Sequence, residues 1–116
     1  MNERDVFDSV LKHSIGYSMG SLWQSLTVEL QDDSLPFENR TDMFIRFLRE
    51  LMQSGRIRLA IDGVYLSGSV DDQLGVLRKA WPSPSADEED EMYLWFLAEA
   101  PAGVVWIADD GTEIWT

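Results

Sequence analysis

RIRLAIDGVYL, residues 56–66, ends the helical half of this chain and opens a sheet. Asp62-Gly63 tolerates the left-handed backbone that a two-residue type I′ turn needs at both central positions. A turn there sets Ile61 opposite Val64 and Leu59 opposite Leu66. With Ile57 these form one apolar face, leaving Arg56, Arg58 and Tyr65 on the other.

Upstream the spacing is helical. Val6, Phe7, Val10, Leu11 and Ile15 recur at three- and four-residue intervals, and GYSMG (16–20) breaks the pattern. Leu22, Trp23, Leu26 and Leu30 predict a second helix. Met43, Phe44, Phe47, Leu48, Leu51 and Met52 predict a third, with Asn39 or Thr41 as its N-cap and Gly55 as its stop.

Downstream, Ser69 with Asp72 has the form of a capping box with Asp in the Glu position, opening a fourth helix through Leu74, Leu77 and Trp81. WPSPSADEEDE carries two prolines and crowded like charges, which predicts a loop over 82–91. MYLWFLA (92–98) is apolar on every face, so periodicity does not separate helix from strand; its length and aromatics favour a buried strand, with a short helix as the alternative. GVVWIAD and TEIWT flank Asp110-Gly111, a second hairpin. A two-residue turn there pairs Ile107 with Ile114, Trp106 with Trp115 and Ala108 with Glu113, which puts Glu113 on one face with two indoles. The expected fold is a single α+β domain over 1–116. It has a helical part at about 3–54, then hairpin, helix and C-terminal strands at about 56–116: about four helices packed on one antiparallel sheet containing two DG-turn hairpins.

With 116 residues, 45% of them hydrophobic, the chain can bury a core, and having no cysteine it must hold together by packing. No apolar run approaches the roughly 20 residues that span a bilayer, and MNERDVFDSV lacks the regions of a secretory signal, so a cytoplasmic protein without a membrane partner is expected. The formal net charge is −12. Residues 1–60 carry seven bases and nine acids, or −2; residues 61–116 carry two bases and twelve acids, or −10. Such a chain repels nucleic acid and anionic lipid and attracts basic proteins. Acidity for solubility alone is the plainer explanation.

Catalytic chemistry is thin. His13 is the single histidine, placed near a helix C-terminus where a partly charged imidazole is favourable. No serine lies in GxSxG, GYSMGS has neither Walker spacing nor lysine, and the 87–91 acids lack the ligand pattern of an EF-hand. No catalytic residue, metal site or cofactor is assigned, and a non-enzymatic protein is expected.

Two surfaces compete for a binding role. Arg40, Arg46, Arg49, Arg56 and Arg58 against Asp42 and Glu50 make residues 40–58 locally +3. A helix followed by a hairpin with outward arginines is how a winged-helix regulator meets DNA, through Arg46, Arg49, Arg56 and Arg58; the plainer reading pairs these arginines with the chain's own acids. The other surface is acidic. Asp87, Glu88, Glu89, Asp90 and Glu91 run straight into aromatics, and protein interfaces combine aromatic anchors with steering charges. With Tyr93 and Trp115, and with Asp71, Asp72, Asp109, Asp110 and Glu113 as secondary candidates, they predict a docking face for a basic protein. At least two of the five tryptophans are expected in the core.

At WFLAEAPAGVVWIADDGTEIWT (95–116) the chain resembles a family of small bacterial proteins long catalogued without a function, and the likeness extends from FLRELMQSGRIRLAIDGVYLSG (47–68) to the terminal IWT, roughly the last two thirds. Similar small acidic proteins include immunity proteins of contact-dependent growth inhibition and related polymorphic toxin systems. That resemblance implies a cytosolic protein that binds and neutralises one cognate toxin domain, commonly a basic nuclease; a monomer in a 1:1 complex is expected. It carries over no interaction residues, because the shared motifs are structural.

Overall fold

The computed structural model describes residues 2–33, 35–82 and 89–116. Helix α1 (Glu3–Ser14) starts at Asn2, whose side-chain oxygen accepts from the Arg4 N–H at 2.9 Å and the Asp5 N–H at 3.4 Å. It buries Val6, Phe7 and Val10. After Gly16, at φ +87°, α2 (Met19–Glu29) begins under a Ser18 cap. Gly20, expected within the break, therefore lies inside α2.

Helix α3 (Phe37–Gln53) starts a turn earlier than Asn39 or Thr41, behind Pro36, and has no side-chain cap. The reason is tertiary: Phe37 and Thr41 are both buried, so this first turn is held by packing. Its end follows expectation. Gly55 at φ +76° allows the Arg56 N–H to reach back to the Leu51 carbonyl at 2.9 Å, closing the helix.

Strands β1 (Ile57–Ile61) and β2 (Val64–Tyr65) pair antiparallel, Ile61 with Val64 and Ala60 with Tyr65, around Asp62 at φ 52° and Gly63 at φ 79°. Helix α4 (Val70–Ala80) carries the capping box: the Asp72 N–H donates to Ser69 Oγ at 3.0 Å, and the Ser69 N–H donates to the Asp72 carboxylate at 3.2 Å.

Residues 92–98 are helical, not a strand. They lie in α5 (Glu89–Ala98), so the described residues hold five α-helices, and the expected loop over 82–91 is corrected at residues 89–91, which are helical, while 83–88 lie outside the described residues. As a helix the segment buries Met92 and Trp95 and packs Phe96 against the core, at i, i+3 and i+4. Glu91 lies in the first turn, where the helix dipole favours an acid. The sheet is completed instead by β3 (Gly103–Ile107) and β4 (Glu113–Trp115), in the order β2-β1-β3-β4, all antiparallel.

The second hairpin sits one residue out of the expected register. Val105 pairs with Trp115, Trp106 with Ile114 and Ile107 with Glu113. The connection is three residues long: the Ala108 N–H donates to the Thr112 carbonyl and the Gly111 N–H to the Ala108 carbonyl, both at 2.8 Å, with Gly111 at φ +88°. That is a turn closed by a glycine bulge, and one residue of slip exchanges the two faces. Trp106 is therefore buried in the core while Trp115 lies on the opposite face with Glu113. A Cβ at Gly111 would meet nothing, so Gly111→Ala costs only the left-handed backbone, about 1 kcal/mol, readable as a lowered denaturant midpoint.

The helices cover one face of the sheet, that of Ile57, Leu59, Val104 and Trp106. The Trp106 indole N–H donates to the Tyr17 carbonyl at 2.8 Å, tying β3 to the turn before α2. At the centre Trp23 is ringed by Phe37, Phe44, Trp81 and Phe96, all with ring centroids within 6.5 Å. Trp23, Trp95 and Trp106 are buried, so three of the five tryptophans serve the core.

Candidate functional site

Helix α5 has more apolar surface than the core can take. With Met92, Trp95 and Phe96 turned inward, Tyr93, Leu94 and Leu97 are left 49%, 62% and 66% exposed. Single exposed apolar residues are ordinary, but three on one side of one short helix form a patch. Glu91 is exposed at the head of this helix, and it lines a shallow groove together with Leu94 and Glu99.

A second groove, of about 270 Å³, runs between α2 and α5. On the α2 side Gly20, Gln24, Thr27, Val28 and Gln31 form one helical stripe; on the α5 side stand Met92, Tyr93 and Phe96, with Trp23 and Arg40 completing the lining. Gly20 brings the two helices together, because a Cβ there would lie 3.3 Å from that of Phe96. Arg40 extends over the rings of Trp23 and Phe37, at 5.6 and 5.8 Å.

The ion pairs decide where the negative field survives. Arg4 pairs with Glu50 and, at 3.3 Å, with Asp8; Arg46 pairs with Glu3 and Arg78 with Asp42, each at 2.6 Å. Arg49 takes Asp71 at 3.0 Å. Each pair is solvent-exposed and adds little stability, and three of the four arginines involved, Arg4, Arg46 and Arg49, lie within the first 60 residues. Among the acids after residue 61 whose side chains are described, only Asp71 is in an ion pair.

The expected site residues fall on separate elements. Asp87 and Glu88 lie outside the described residues. Positions 89 and 90 form the first turn of α5, with Glu91 and Tyr93 exposed just after them. Asp71 and Asp72 stand at the start of α4, and both carboxylates have structural partners, Arg49 and the Ser69 N–H. Asp109, Asp110, Glu113 and Trp115 belong to the β3–β4 hairpin. No described hydrogen bond, ion pair or ring contact joins that hairpin to α5. Leu94, Leu97 and Val28 carry no charge and no motif; only a helical reading of 92–98 would have set Leu94 and Leu97 outside the buried stripe.

Asp110 shapes its own turn. Its carboxylate accepts from the Thr112 N–H at 2.9 Å, and hydrogen bonding from Thr112 lowers its pKa below the usual carboxylate range. A depressed folded value stabilises the fold above the unfolded value and is lost as pH falls through the depressed one. Asp110→Ala is accordingly expected to lower the melting temperature at pH 7, and the gap from wild type should narrow as pH drops below about 4. Thermal scans across that range check it.

Arg46 and Arg49 are held by Glu3 and Asp71, whereas Arg56 and Arg58 are exposed and, among the described residues, in no ion pair. The Arg58 guanidinium lies 3.5 Å from the centroid of the Tyr65 ring, and that ring packs on Trp115 at 5.1 Å. Among the described residues no group of three or more His, Cys, Asp or Glu is placed to hold a metal, and no helix is long and apolar enough to cross a membrane.

Among curated proteins there is no match to this chain. A solved structure of an uncharacterised protein conserved in bacteria, from Neisseria meningitidis, is similar at 27% identity with a TM-score of 0.79, over 97% of this chain and 88% of that one. Its α+β architecture is thus shared nearly end to end. A family profile described as protein of unknown function, DUF596, matches residues 52–116. That stretch spans β1 to β4, including the capping box, α5 and both hairpins. Neither description names an activity or a partner, and neither links the chain to immunity proteins. With more than half of its residues matched, the chain belongs to the family of unknown function DUF596.

Proposed function

We propose that this protein is a non-enzymatic inhibitor, an immunity protein that docks a cognate basic toxin domain, a nuclease, through α5 and the acids that lead into it. The observation that carries the reading is the unburied apolar face of α5, where Tyr93, Leu94 and Leu97 stand exposed beside Glu91 on a helix entered through an acidic run. Aromatic and leucine side chains supply area that gains from desolvation, and uncompensated acids raise the rate of encounter with a positive surface. A nuclease must be positive where it grips its substrate. The −10 of residues 61–116, against −2 before them, puts the attraction on the half of the chain that carries α5.

Replacing residues 87–91 with serines is expected to slow association with the toxin domain and flatten its dependence on salt. Stopped-flow or surface-binding kinetics at several ionic strengths provide the check. Unchanged kinetics would take the acidic run out of the interface.

The winged-helix reading keeps one favourable observation, the exposed Arg56 and Arg58 on the open face of the sheet. It loses Arg46 and Arg49 to ion pairs. Duplex binding that falls steeply with salt and vanishes in an Arg56→Ser, Arg58→Ser variant would support it.

A further inference from the structure

We infer that the groove between α2 and α5 receives one aromatic side chain, a tryptophan or tyrosine, presented by the partner from a basic surround. This inference rests on the proposed docking role and specifies its anchor. At about 270 Å³ the groove falls below the roughly 300–1,000 Å³ of small-molecule sites, so it fits a single large side chain better than a metabolite. Its floor is Trp23 and Phe96, both turned into the aromatic cluster of the core. Its banks are Val28, 60% exposed, and Tyr93, which leaves an apolar slot open to solvent. The slot continues into the exposed face of α5 through Tyr93, which belongs to both.

The polar lining selects among anchors. Gln24, Thr27 and Gln31 offer neutral amide and hydroxyl groups, suited to one indole N–H or phenol O–H. The partner's basic residues are drawn outward, to the exposed acids Glu91 in α5 and Glu99 just past its end. Buried aromatic anchors ringed by near-neutral contacts that exclude water are the usual seat of binding energy in protein interfaces.

The test uses two blocked tripeptides, lysine–tryptophan–lysine and lysine–alanine–lysine, in amide NMR titrations of the full chain at low salt. The expected result is that the tryptophan peptide shifts amides of 20–31 and 92–96, while the alanine peptide perturbs only residues around the acids. Thr27→Phe, which fills the slot, should abolish the tryptophan response, and Val28→Ser, a change at an exposed position, should weaken it about threefold. The second variant keeps the test decisive if the first fails to fold. Equal responses to both peptides, confined to the acids, would overturn the anchor and leave the charged docking face standing. Tryptophan-peptide shifts away from the groove would also overturn the anchor. No response to either peptide would overturn the anchor and, separately, count against charge-led docking.

Discussion

Trp23→Ala is expected to cost about 3–5 kcal/mol, the range for emptying a large aromatic site in a core. Trp23 is 4% exposed and touches four aromatic rings, two from α3, one from the C-cap of α4 and one from α5. Its loss would uncouple the helices from one another as well as open a cavity. Set against a total stability of about 5–15 kcal/mol, that is enough to move the urea midpoint by a large fraction of its value. Equilibrium urea unfolding followed by far-UV circular dichroism gives the number. A loss below about 1 kcal/mol would mean that the cluster around Trp23 is not the centre of the core.

The second large effect lies on the surface and leaves the fold alone. Leu94→Ser with Leu97→Ser should change stability by no more than about 0.5 kcal/mol per site, since both side chains are already mostly in water. The same pair should weaken toxin binding about a hundredfold, or roughly 2.7 kcal/mol, if these leucines lie within the desolvated part of the interface. Calorimetric titration beside a melting curve separates the two quantities. A variant that binds as wild type would move the interface off α5, and one that melts much lower would place the leucines in the core.

How much of this was legible depends on which interactions are local. The helices α1 to α4 announce themselves through periodicity, with the starts of α2 and α3 falling off the expected positions, and the Ser69–Asp72 box could be written down from four residues. Residues 92–98 are different. Their apolar character is the same in every direction, and only the rest of the fold sets which side is buried. A local signal was nonetheless present: acids directly ahead of an apolar run are a helix-start pattern, and reading 82–91 as loop to its end passed over it. The slipped hairpin is the second case. Asp110-Gly111 suits a two-residue turn as well as a three-residue turn closed by a glycine bulge, and burial of Trp106 under the helices favours the second. The site was legible in its charge and not in its shape. Acidity and aromatics are countable, whereas the α2–α5 groove depends on two helices meeting at Gly20 and Phe96, 76 positions apart in the chain.

The most direct test of the docking role is affinity capture by the tagged wild-type chain from its own host at low salt, in parallel with the Leu94→Ser, Leu97→Ser variant. Eluted proteins would be identified by mass spectrometry and assayed for nuclease activity with and without added wild-type chain. The account predicts one basic protein, released by salt, absent from the variant, and inhibited when the wild-type chain is returned. Recovery of nucleic acid, or of the same proteins on both chains with nuclease activity unaffected, would contradict it.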